Sequence, residues 1–408
     1  MKIRKKTILP LGILVLMLLS EIFRSKIEVL KYYDEFFSIV FLVIMCVKLI
    51  RGGVSKTKQE ILICCGIIVT LGLTGNLLFG VQTQGQAIVL DIVRMFKLPI
   101  CCVGYDCIID ETTSRDIVHI LSKLARILII LGFVCGILSL FKDLGMRGQK
   151  RFGIWGFNFI FTHAHIYAMI LLLCLLFVVL TTKNIRIYWI YIAMTIVQLI
   201  LSTKGTSIVT AAAILVIFFA IKNKSKITFR TVVPLAIVGC VLGTYQIQTY
   251  LTNANAPRYI LLYDGIKTSF RYFPLGAGFA SFGSDIAANY YSKLHVEFGF
   301  YSYWGMRPGE LYFLNDNYWP MILGQFGFLG FATVVFILYK FFDVIQKTKM
   351  NYRVKAIIIS CLFYIMLASF GTTIFTTSST IILMFGMLIA IKGYCYGKRK
   401  ESNSKFEC

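Results

Sequence analysis

The chain has 408 residues, of which 58% are hydrophobic and 15% charged, and its mean hydropathy is +0.76. A soluble core of this size cannot bury that much apolar surface, so the composition excludes a soluble enzyme and indicates a membrane protein. The net charge of +23 would suit nucleic acid. However, most of it lies in short loops between apolar runs, where basic residues set topology, so nucleic acid is not an expected partner.

The N-terminus resembles a signal peptide, because a basic stretch from Lys2 to Lys6 precedes an apolar run that ends at Phe23. No small-residue cleavage site follows, so we expect a retained first span. The chain has 12 cysteines, and none lies between 251 and 316. Their spacing predicts neither a metal site nor a disulfide framework.

The apolar runs predict an all-α polytopic fold with about twelve transmembrane helices. We place them at 8–23, 36–50, 61–79, 86–109, 124–141, 160–180, 187–202, 206–221, 231–250, 317–341, 355–371 and 377–392. This divides the chain into nine helices (1–250), a long polar segment (251–316), and three helices with a tail (317–408). The halves differ, which counts against a transporter built from repeats.

Orientation follows from the basic residues between the predicted spans. With the N-terminus inside, 27 of the 42 Lys and Arg fall in cytoplasmic segments and 13 in external ones. The positive-inside rule then places both termini in the cytoplasm and makes 251–316 a large external loop. The external positive charges cluster at 142–151 and 251–316, where topology does not require them, so we expect them to bind a ligand.

The fourth predicted span contains three charged residues, Asp91, Arg94 and Lys97, at helical spacing. One interpretation is an Asp91–Arg94 ion pair with Lys97 reaching the interface. The other is a cationic wall that faces a lipid-linked anion, with Arg94 in contact with substrate.

The stretch from Lys142 to His165 places Arg151 and a pair of histidines just before and at the start of the sixth span. Arg151 is a candidate phosphate ligand, although basic residues here also suit plain interfacial anchoring. His163 and His165 have no third ligand nearby in the sequence, which disfavours a metal site. Histidines at such a position are more often hydrogen-bonded interface residues; the alternative is that His165 contacts the substrate.

A tight turn, Leu201-Ser-Thr-Lys204-Gly-Thr-Ser207, joins the seventh and eighth spans. The turn fixes Lys204 near the predicted external surface. Its sequence neighbours include no acidic residue, so Lys204 is a candidate anion ligand; a lone lysine in a turn is also commonly just solvated.

The long polar segment opens with a pattern of apolar residues that predicts a short amphipathic helix, led by Arg258, closed by Arg271 and stopped near Pro274. Both arginines are candidate phosphate ligands because a guanidinium donates two parallel hydrogen bonds. The glycines at 276 and 278 allow close backbone approach to a ligand. No strand precedes them and no Walker-type lysine follows, so they do not predict a nucleotide loop.

The segment ends at Asn315-Asp316-Asn317-Tyr318, directly before the tenth span. Asp316 is a candidate general base toward a sugar hydroxyl. The alternative is a helix N-cap, for which Asp and Asn are both favoured.

These motifs, in this order, resemble the bacterial O-antigen polymerase and O-antigen ligase superfamily, often called Wzy-like, whose known structures are GT-C type membrane glycosyltransferases. The resemblance covers about half the chain. It rests on four stretches: Arg151-Phe-Gly153, the turn LSTKGTS, the Arg258-led helix into FPLGAGFASF, and DNYWPMILGQFGFLG from Asp316 to Gly330. Ligases of this superfamily usually carry His before the Asn that Asn317 matches; Asp316 stands here, which makes a ligase less expected.

The resemblance implies a GT-C-like fold and a polymerase that joins oligosaccharide repeats carried on undecaprenyl diphosphate, at the outer face of the bacterial cytoplasmic membrane. It implies Arg258, Arg271, Lys204 and Arg151 as diphosphate ligands and Asp316 as the base toward the acceptor. We also take Arg258 as catalytic, and Arg94, His165 and Tyr318 as substrate contacts. Diphosphate is already a good leaving group, so we expect neither cofactor nor metal. Membrane lipid, a chain-length regulator and a flippase are the expected partners.

Three other functions stay open from the sequence. One is a ligase that moves finished glycan to another acceptor. Another is a flippase or transporter of lipid-linked sugars, which twelve spans would suit. The last is a metal-dependent glycosyltransferase that uses Asp34 and Glu35, a pair that otherwise reads as an exposed helix start.

Overall fold

The computed structural model describes residues 4–24, 26–151, 153–223, 253 and 255–404. This described part is about 75% helical and contains almost no strand. Six helices of the described part are long and apolar enough to cross a membrane. They are Lys5–Phe23, Lys56–Phe79, Glu111–Phe141, Ala164–Thr181, Gly205–Lys222 and Tyr318–Lys347. A multi-pass membrane protein, as the composition indicates, fits this arrangement.

In the described residues, five α-helices precede the first strand. They are α1 (Lys5–Phe23), α2 (Tyr33–Ile50), α3 (Lys56–Phe79), α4 (Gly85–Ile108) and α5 (Glu111–Phe141), with a 3₁₀ turn at Glu28–Tyr32. The sequence places the fifth helix at 124–141, but α5 begins at Glu111. The first turns of α5 are polar, so hydropathy alone does not reveal them. Asp110 caps the helix by accepting a hydrogen bond from the Thr113 N–H at 2.6 Å.

A short hairpin follows α5, and the sequence analysis does not predict it. Strands β1 (Arg147–Arg151) and β2 (Ile154–Phe157) pair antiparallel, with Arg151 opposite Ile154. Helices α6 (Ala164–Thr181), α7 (Ile185–Leu201) and α8 (Gly205–Asn223) come next. Most of α6 is buried, so it forms the centre of the main apolar core. The predicted span at 231–250 lies outside the described residues.

The segment from 255 to 316 folds around an apolar core of its own, which includes Leu261, Phe282 and Phe300. It contains α9 (Pro257–Arg271), α10 (Asp285–Asn289), α11 (Lys293–Glu297) and a 3₁₀ turn at Phe300–Ser302. The predicted amphipathic helix is thus confirmed as α9. Pro257 starts it, as suits a residue whose missing N–H would have no helical partner.

The chain ends in α12 (Tyr318–Lys347), α13 (Tyr352–Ala368) and α14 (Ser378–Ser404), with a 3₁₀ turn at Ile374–Thr376. Gly327 has a non-helical backbone (φ 60°, ψ −163°) that kinks α12. Helices α2, α4, α7, α13 and α14 match five further predicted spans. Twelve crossings and the external position of 251–316 remain predictions.

Packing brings distant parts of the chain together around α12. This helix packs on α9 and on α3, while α14 packs on α5 and α6, and α13 packs on α8. The turn before α8, the start of α9 and the residues before α12 therefore belong to neighbouring elements. Their polar side chains form the site described next.

Candidate anion site at the start of helix α8

Lys204 lies in the turn that ends α7 and begins α8. Thr203 adopts a positive φ of 52° and donates its N–H to the Ile200 carbonyl at 2.9 Å. The Lys204 carbonyl accepts from the Ser207 and Ile208 N–H groups at 2.9 and 3.0 Å. These bonds fix Lys204 at the N-terminus of a 19-residue helix, where the helix dipole favours an anion.

The electrostatic environment of Lys204 disfavours its own charge. No carboxylate of the described residues lies within 4.0 Å of its ammonium group. Burial, followed by the charges of Arg151 and Arg258, lowers the pKa of Lys204 to about 8, although Asp316 acts in the opposite direction. An anion bound here would restore the full charge of Lys204.

Arg258, in the first turn of α9, connects three parts of the chain. Its Nη2 donates to Asp316 Oδ2 at 3.2 Å and to the Gly371 carbonyl at 3.2 Å. Both side chains of the ion pair are about one quarter exposed. The guanidinium therefore joins α9 to the start of α12 and to the α13–α14 connection, and it remains partly accessible from outside.

Asp316 does not cap α12. Asn317 is the N-cap, because its side chain accepts from the Trp319 N–H at 3.3 Å. The Asp316 carboxylate thus faces Arg258. Burial raises the pKa of Asp316 above its ordinary value, while the positive charges of Arg258 and Lys204 act against that shift.

Arg151 reaches the same site from the hairpin. It is the last residue of β1 and is exposed, with its Nη2 donating to Gln149 Oε1 at 2.7 Å. The hairpin packs against the lysine turn at Gly156, where an added Cβ would lie 2.6 Å from Thr203 Oγ1. Small size at position 156 therefore allows β2 to hold Arg151 beside Lys204.

The two histidines lie beside this site. The His163 and His165 rings stack with centroids 5.4 Å apart, and the Tyr364 hydroxyl donates to the His165 carbonyl at 3.3 Å. Burial first, and then the charge of Lys204, lowers the pKa of His163. Across the described residues, no three His, Cys, Asp or Glu side chains converge as metal ligands.

The structure does not bring Arg271 to this group. Arg271 is the last residue of the 15-residue α9, about 20 Å along the helix from Arg258 at 1.5 Å per residue. It is half-exposed and pairs with Glu297.

Arg94 also has other partners. Its guanidinium lies 3.3 Å from Asp285 and 4.0 Å from Glu35. The expected Asp91–Arg94 ion pair is wrong, because the Asp91 carboxylate instead accepts from the Ala280 N–H at 2.6 Å. Arg94 therefore joins α4 to α10, and Asp91 joins α4 to the 276–280 turn.

Lys97 and Asp34 form a buried ion pair. The expectations that Lys97 extends to the interface and that Asp34 is exposed at a helix start are therefore both wrong. Glu35 lies 4.0 Å from Lys97 as well as from Arg94. Two cations already neutralise this carboxylate pair, which weakens the metal-dependent alternative.

Tyr318 is buried and packs its ring on Phe375, with centroids 4.7 Å apart. It lines an apolar cavity of about 150 Å³ between α3, α4, α12 and α13. The structure therefore gives Tyr318 an apolar environment, two residues away from Asp316.

The glycine turn of the polar segment approaches a helix instead of an open ligand site. Gly276 and Gly278 have φ values of 81° and 92°, and a Cβ on Gly75 of α3 would lie 2.8 Å from the Gly276 carbonyl. Asn76 accepts from the Phe279 N–H at 2.8 Å and donates to its carbonyl at 3.0 Å. The expectation that these glycines contact a ligand has no support in this packing.

Sequence reasoning missed the connection between α13 and α14. Gly371 supplies a carbonyl to Arg258, and Ser378 hydrogen-bonds Glu21, which also accepts from Tyr33 at 3.1 Å. The dense run of hydroxyl side chains at 372–380 was the available signal, because it places seven Ser and Thr residues in the connection and the first turn of α14.

The site thus combines Lys204, Arg151 and Arg258 with a single carboxylate, Asp316. The excess of positive charge at a helix N-terminus suits an anion, while Asp316 can accept a proton from a group bound beside that anion. Comparison of the sequence with protein-family models finds no matching family, and comparison with curated proteins finds no match.

Proposed function

We propose that this protein is a membrane glycosyltransferase whose donor is a sugar linked to a lipid diphosphate. In this proposal it joins oligosaccharide repeat units into a polysaccharide at the outer face of the bacterial cytoplasmic membrane. The observation that carries the proposal is the position of Lys204, at a helix N-terminus, without a carboxylate partner in the described chain, beside Arg151 and Arg258.

The proposed reaction breaks the bond between the anomeric carbon and the diphosphate oxygen, and the bonding electron pair stays on the diphosphate. Lys204, Arg258 and Arg151 stabilise that developing negative charge. Cations fixed in place before the reaction do this well, because they need no rearrangement as charge develops. The α8 N-terminus contributes in the same direction.

The acceptor hydroxyl forms the new glycosidic bond and loses its proton to Asp316. The raised pKa of Asp316 makes its carboxylate a stronger base than an ordinary aspartate, and Arg258 orients it through the 3.2 Å contact. The polymerase assignment itself, with undecaprenyl diphosphate as the carrier, rests on the family resemblance. The anion site would also suit a ligase.

The test is transfer by the purified protein, with lipid-diphosphate-linked repeat units as both donor and acceptor. We expect polymer from wild type and a loss of at least about a hundredfold in rate for Lys204→Ala. Lys293→Ala is the control, because Lys293 is exposed and donates to the Gly80 carbonyl at 3.1 Å. Equal losses of rate in both variants would show that Lys204 is not part of the site.

Deletion in the host separates the related functions. Single repeat units left on the outer-face carrier support a polymerase. Full-length chains stranded on the carrier would show a ligase, and repeat units trapped on the inner face would show a flippase. Transfer that persists with a chelator present would count against a metal-dependent mechanism at Asp34 and Glu35.

A further inference from the structure

Helix α9 presents an apolar stripe on its exposed side. Tyr259, Tyr263, Ile266 and Phe270 recur at positions i, i+4, i+7 and i+11, a spacing that places them on one face of the helix. Tyr263, Ile266 and Phe270 are 59%, 39% and 66% exposed. The other side of α9 is buried, with Leu261 in the core of the polar segment. A continuous row of exposed, large apolar side chains indicates an apolar partner.

The stripe continues onto the surface of α12. The ring centroids of Phe270 and Phe273 lie 5.1 and 6.1 Å from that of Phe328. Phe273 is 65% exposed, and Leu329, which follows Phe328 in the chain, is 48% exposed. The joint surface, the α9 patch, consists of Tyr263, Ile266, Phe270, Phe273 and Phe328. It extends the apolar surface of a helix that is long enough to cross a membrane.

Helical rise places the α9 patch at membrane depth. Lys340 of α12 pairs with Glu60 of α3 at 2.9 Å, and no charged residue occurs at 61–90 or 317–339. This ion pair therefore marks one edge of the apolar layer. Phe328 lies twelve residues from Lys340, or about 18 Å at 1.5 Å per residue. Because a hydrocarbon core is about 30 Å thick, the surroundings of Phe328 lie inside it.

Helix α3 gives a similar depth for the turn that follows α9. A Cβ added at Gly75 would lie 2.8 Å from the Gly276 carbonyl, so the two backbones touch. Gly75 is fifteen residues from Glu60, or about 22 Å along α3. The turn is thus also closer to the ion pair than the thickness of a hydrocarbon core.

The backbone of this turn has the hydrogen bonds that such a depth requires. Non-helical backbone is tolerated inside a bilayer only where protein groups satisfy it. Four successive N–H groups donate to buried partners on α12, α3 and α4, at 2.6 to 2.9 Å. They are those of Ala277 to the Gly324 carbonyl, Gly278 to the Gln325 carbonyl, Phe279 to Asn76 and Ala280 to Asp91. The turn therefore needs no water to satisfy these groups.

The cations of this part of α9 have partners away from the stripe. Lys267 Nζ lies 5.5 Å from the Phe298 ring centroid, and Arg271 pairs with Glu297. Both side chains reach the end of α11, so the stripe itself carries no charge. An uncharged stripe that continues the surface of a membrane-crossing helix suits lipid better than it suits water.

We propose that α9 and the turn after it, as far as residue 280, form a re-entrant segment, and that the α9 patch contacts acyl chains in the leaflet beside the polar segment. Residues 263–280 of the expected external loop then lie in the bilayer instead of in water. The occupant is bulk bilayer lipid, so this inference does not rest on the proposed reaction. It also gives a reason for apolar residues on two faces of α9, one for the segment's core and one for lipid.

Photolabelling of the unmodified full-length protein tests the proposal. The probe is phosphatidylcholine with a diazirine in its acyl chain, in nanodiscs, with labelled peptides identified by mass spectrometry. The control lies in the same chain: Tyr301, Trp304 and Tyr312 are 57%, 63% and 64% exposed in the polar segment. We expect the peptide with Phe270 and Phe273 to label at least about tenfold more than the Trp304 peptide, because diazirines in acyl chains react within the hydrocarbon core. Labelling of the Phe270 peptide at or below that of the Trp304 peptide would overturn the proposal.

Access from water gives the complementary measurement. Phe270→Cys and the matched control Tyr301→Cys are treated in nanodiscs with a water-soluble maleimide. We expect Phe270→Cys to react at least about tenfold more slowly, because a thiol in hydrocarbon does not form the reactive thiolate. Cys361 is buried and should stay unmodified in both variants, which shows that they are folded. Equal rates in two folded variants would contradict the proposal.

The two measurements together identify the occupant. Slow maleimide reaction at position 270 without lipid labelling would show that protein covers the patch, as in contact with a second copy of the chain, and would overturn the lipid assignment. Neither measurement uses a sugar or a diphosphate. Failure of the glycosyltransferase proposal therefore leaves the re-entrant segment standing, and the reverse also holds.

Discussion

Arg258 Nη2 lies 3.2 Å from Asp316 Oδ2, which joins two residues 58 positions apart that flank the polar segment between α8 and α12. The same nitrogen donates to the Gly371 carbonyl at 3.2 Å. The contact therefore holds the cation and the carboxylate of the proposed reaction at a fixed separation. The roles of the two residues can therefore be separated by substituting each in turn.

Arg258→Ala should abolish polymer formation while the protein still reaches the membrane. The ion pair is partly exposed, so its loss should cost only about 1 kcal/mol of stability. By contrast, loss of a cation from a transition-state site costs about a hundredfold or more in rate. Initial transfer rates and membrane content of the variant check both expectations. Normal polymer lengths in this variant would show that Arg258 is not part of the site.

Asp316→Asn should lower the transfer rate by about 10² to 10⁴, because an amide cannot accept the proton of the acceptor hydroxyl. The substitution retains shape and an acceptor oxygen for Arg258, so thermal unfolding in detergent should change little. Binding of inorganic diphosphate should be retained or strengthened, since one negative charge is gone. A variant with wild-type rate would show that another group accepts the proton.

The pKa of Lys204 predicts a pH dependence for anion binding. A bound anion raises that pKa above its unbound value of about 8. Binding is therefore unaffected by Lys204 below pH 8, where the ammonium is already charged, and weakens by up to about tenfold per pH unit above it. Calorimetry with inorganic diphosphate from pH 7 to 10 measures this.

Lys204→Arg is the control for that measurement, because a guanidinium stays charged throughout the range. Its titration with inorganic diphosphate should show only the pH dependence of the probe itself. The difference between wild type and variant isolates the lysine. Parallel curves for both proteins would contradict the assignment of Lys204 as an anion ligand.

The amphipathic helix was predictable because its signals are local. Apolar residues at helical spacing, Pro257 at the start and Pro274 beyond the end place it near its observed bounds, Pro257–Arg271. The turn at Lys204 was predictable for the same reason. It has too few residues between two apolar runs to place the lysine elsewhere.

The partners of Arg94 and Lys97 were not predictable from spacing. Asp91 is three residues from Arg94, yet Arg94 contacts Asp285, 191 positions away, and Lys97 contacts Asp34. Tertiary packing brings these carboxylates within reach, and no pattern within α4 encodes it. The sequence does place Arg258 and Arg271 at opposite ends of the predicted helix, but it does not show that Arg258 contacts Asp316 while Arg271 contacts Glu297.

Arg271→Ala should leave polymer length and initial rate close to those of wild type. Its guanidinium pairs with Glu297 on a half-exposed surface, and such pairs contribute about 0 to 1 kcal/mol. It therefore serves as the charge-matched control for Arg258→Ala within one helix. A loss of polymer as large as that in Arg258→Ala would require that Arg271 reach the substrate.

His295 provides a test of the polar segment's fold that does not depend on catalysis. The residue is fully buried, its ring stacks on Phe300 with centroids 5.3 Å apart, and neither ring nitrogen has a hydrogen-bond partner among the described residues. Burial lowers the pKa of His295 to about 3. The folded protein thus keeps this imidazole neutral under conditions where the unfolded chain protonates it.

This difference in protonation makes the folded protein less stable at low pH. Below about pH 6.5 the unfolded state binds a proton that the folded state does not, so acid favours unfolding. The stability that neutral His295 allows is complete above pH 6.5 and declines by up to about 1.4 kcal/mol per pH unit as the pH falls toward 3.

His295→Phe should remove this loss of stability at low pH, because the surroundings of the ring are aromatic and the substitution breaks no hydrogen bond. Thermal unfolding of both proteins in detergent at pH 7.5, 5.5 and 4.5 measures it. We expect the variant to gain on wild type as the pH falls, and a constant difference between the two would show that His295 is protonated in the folded state.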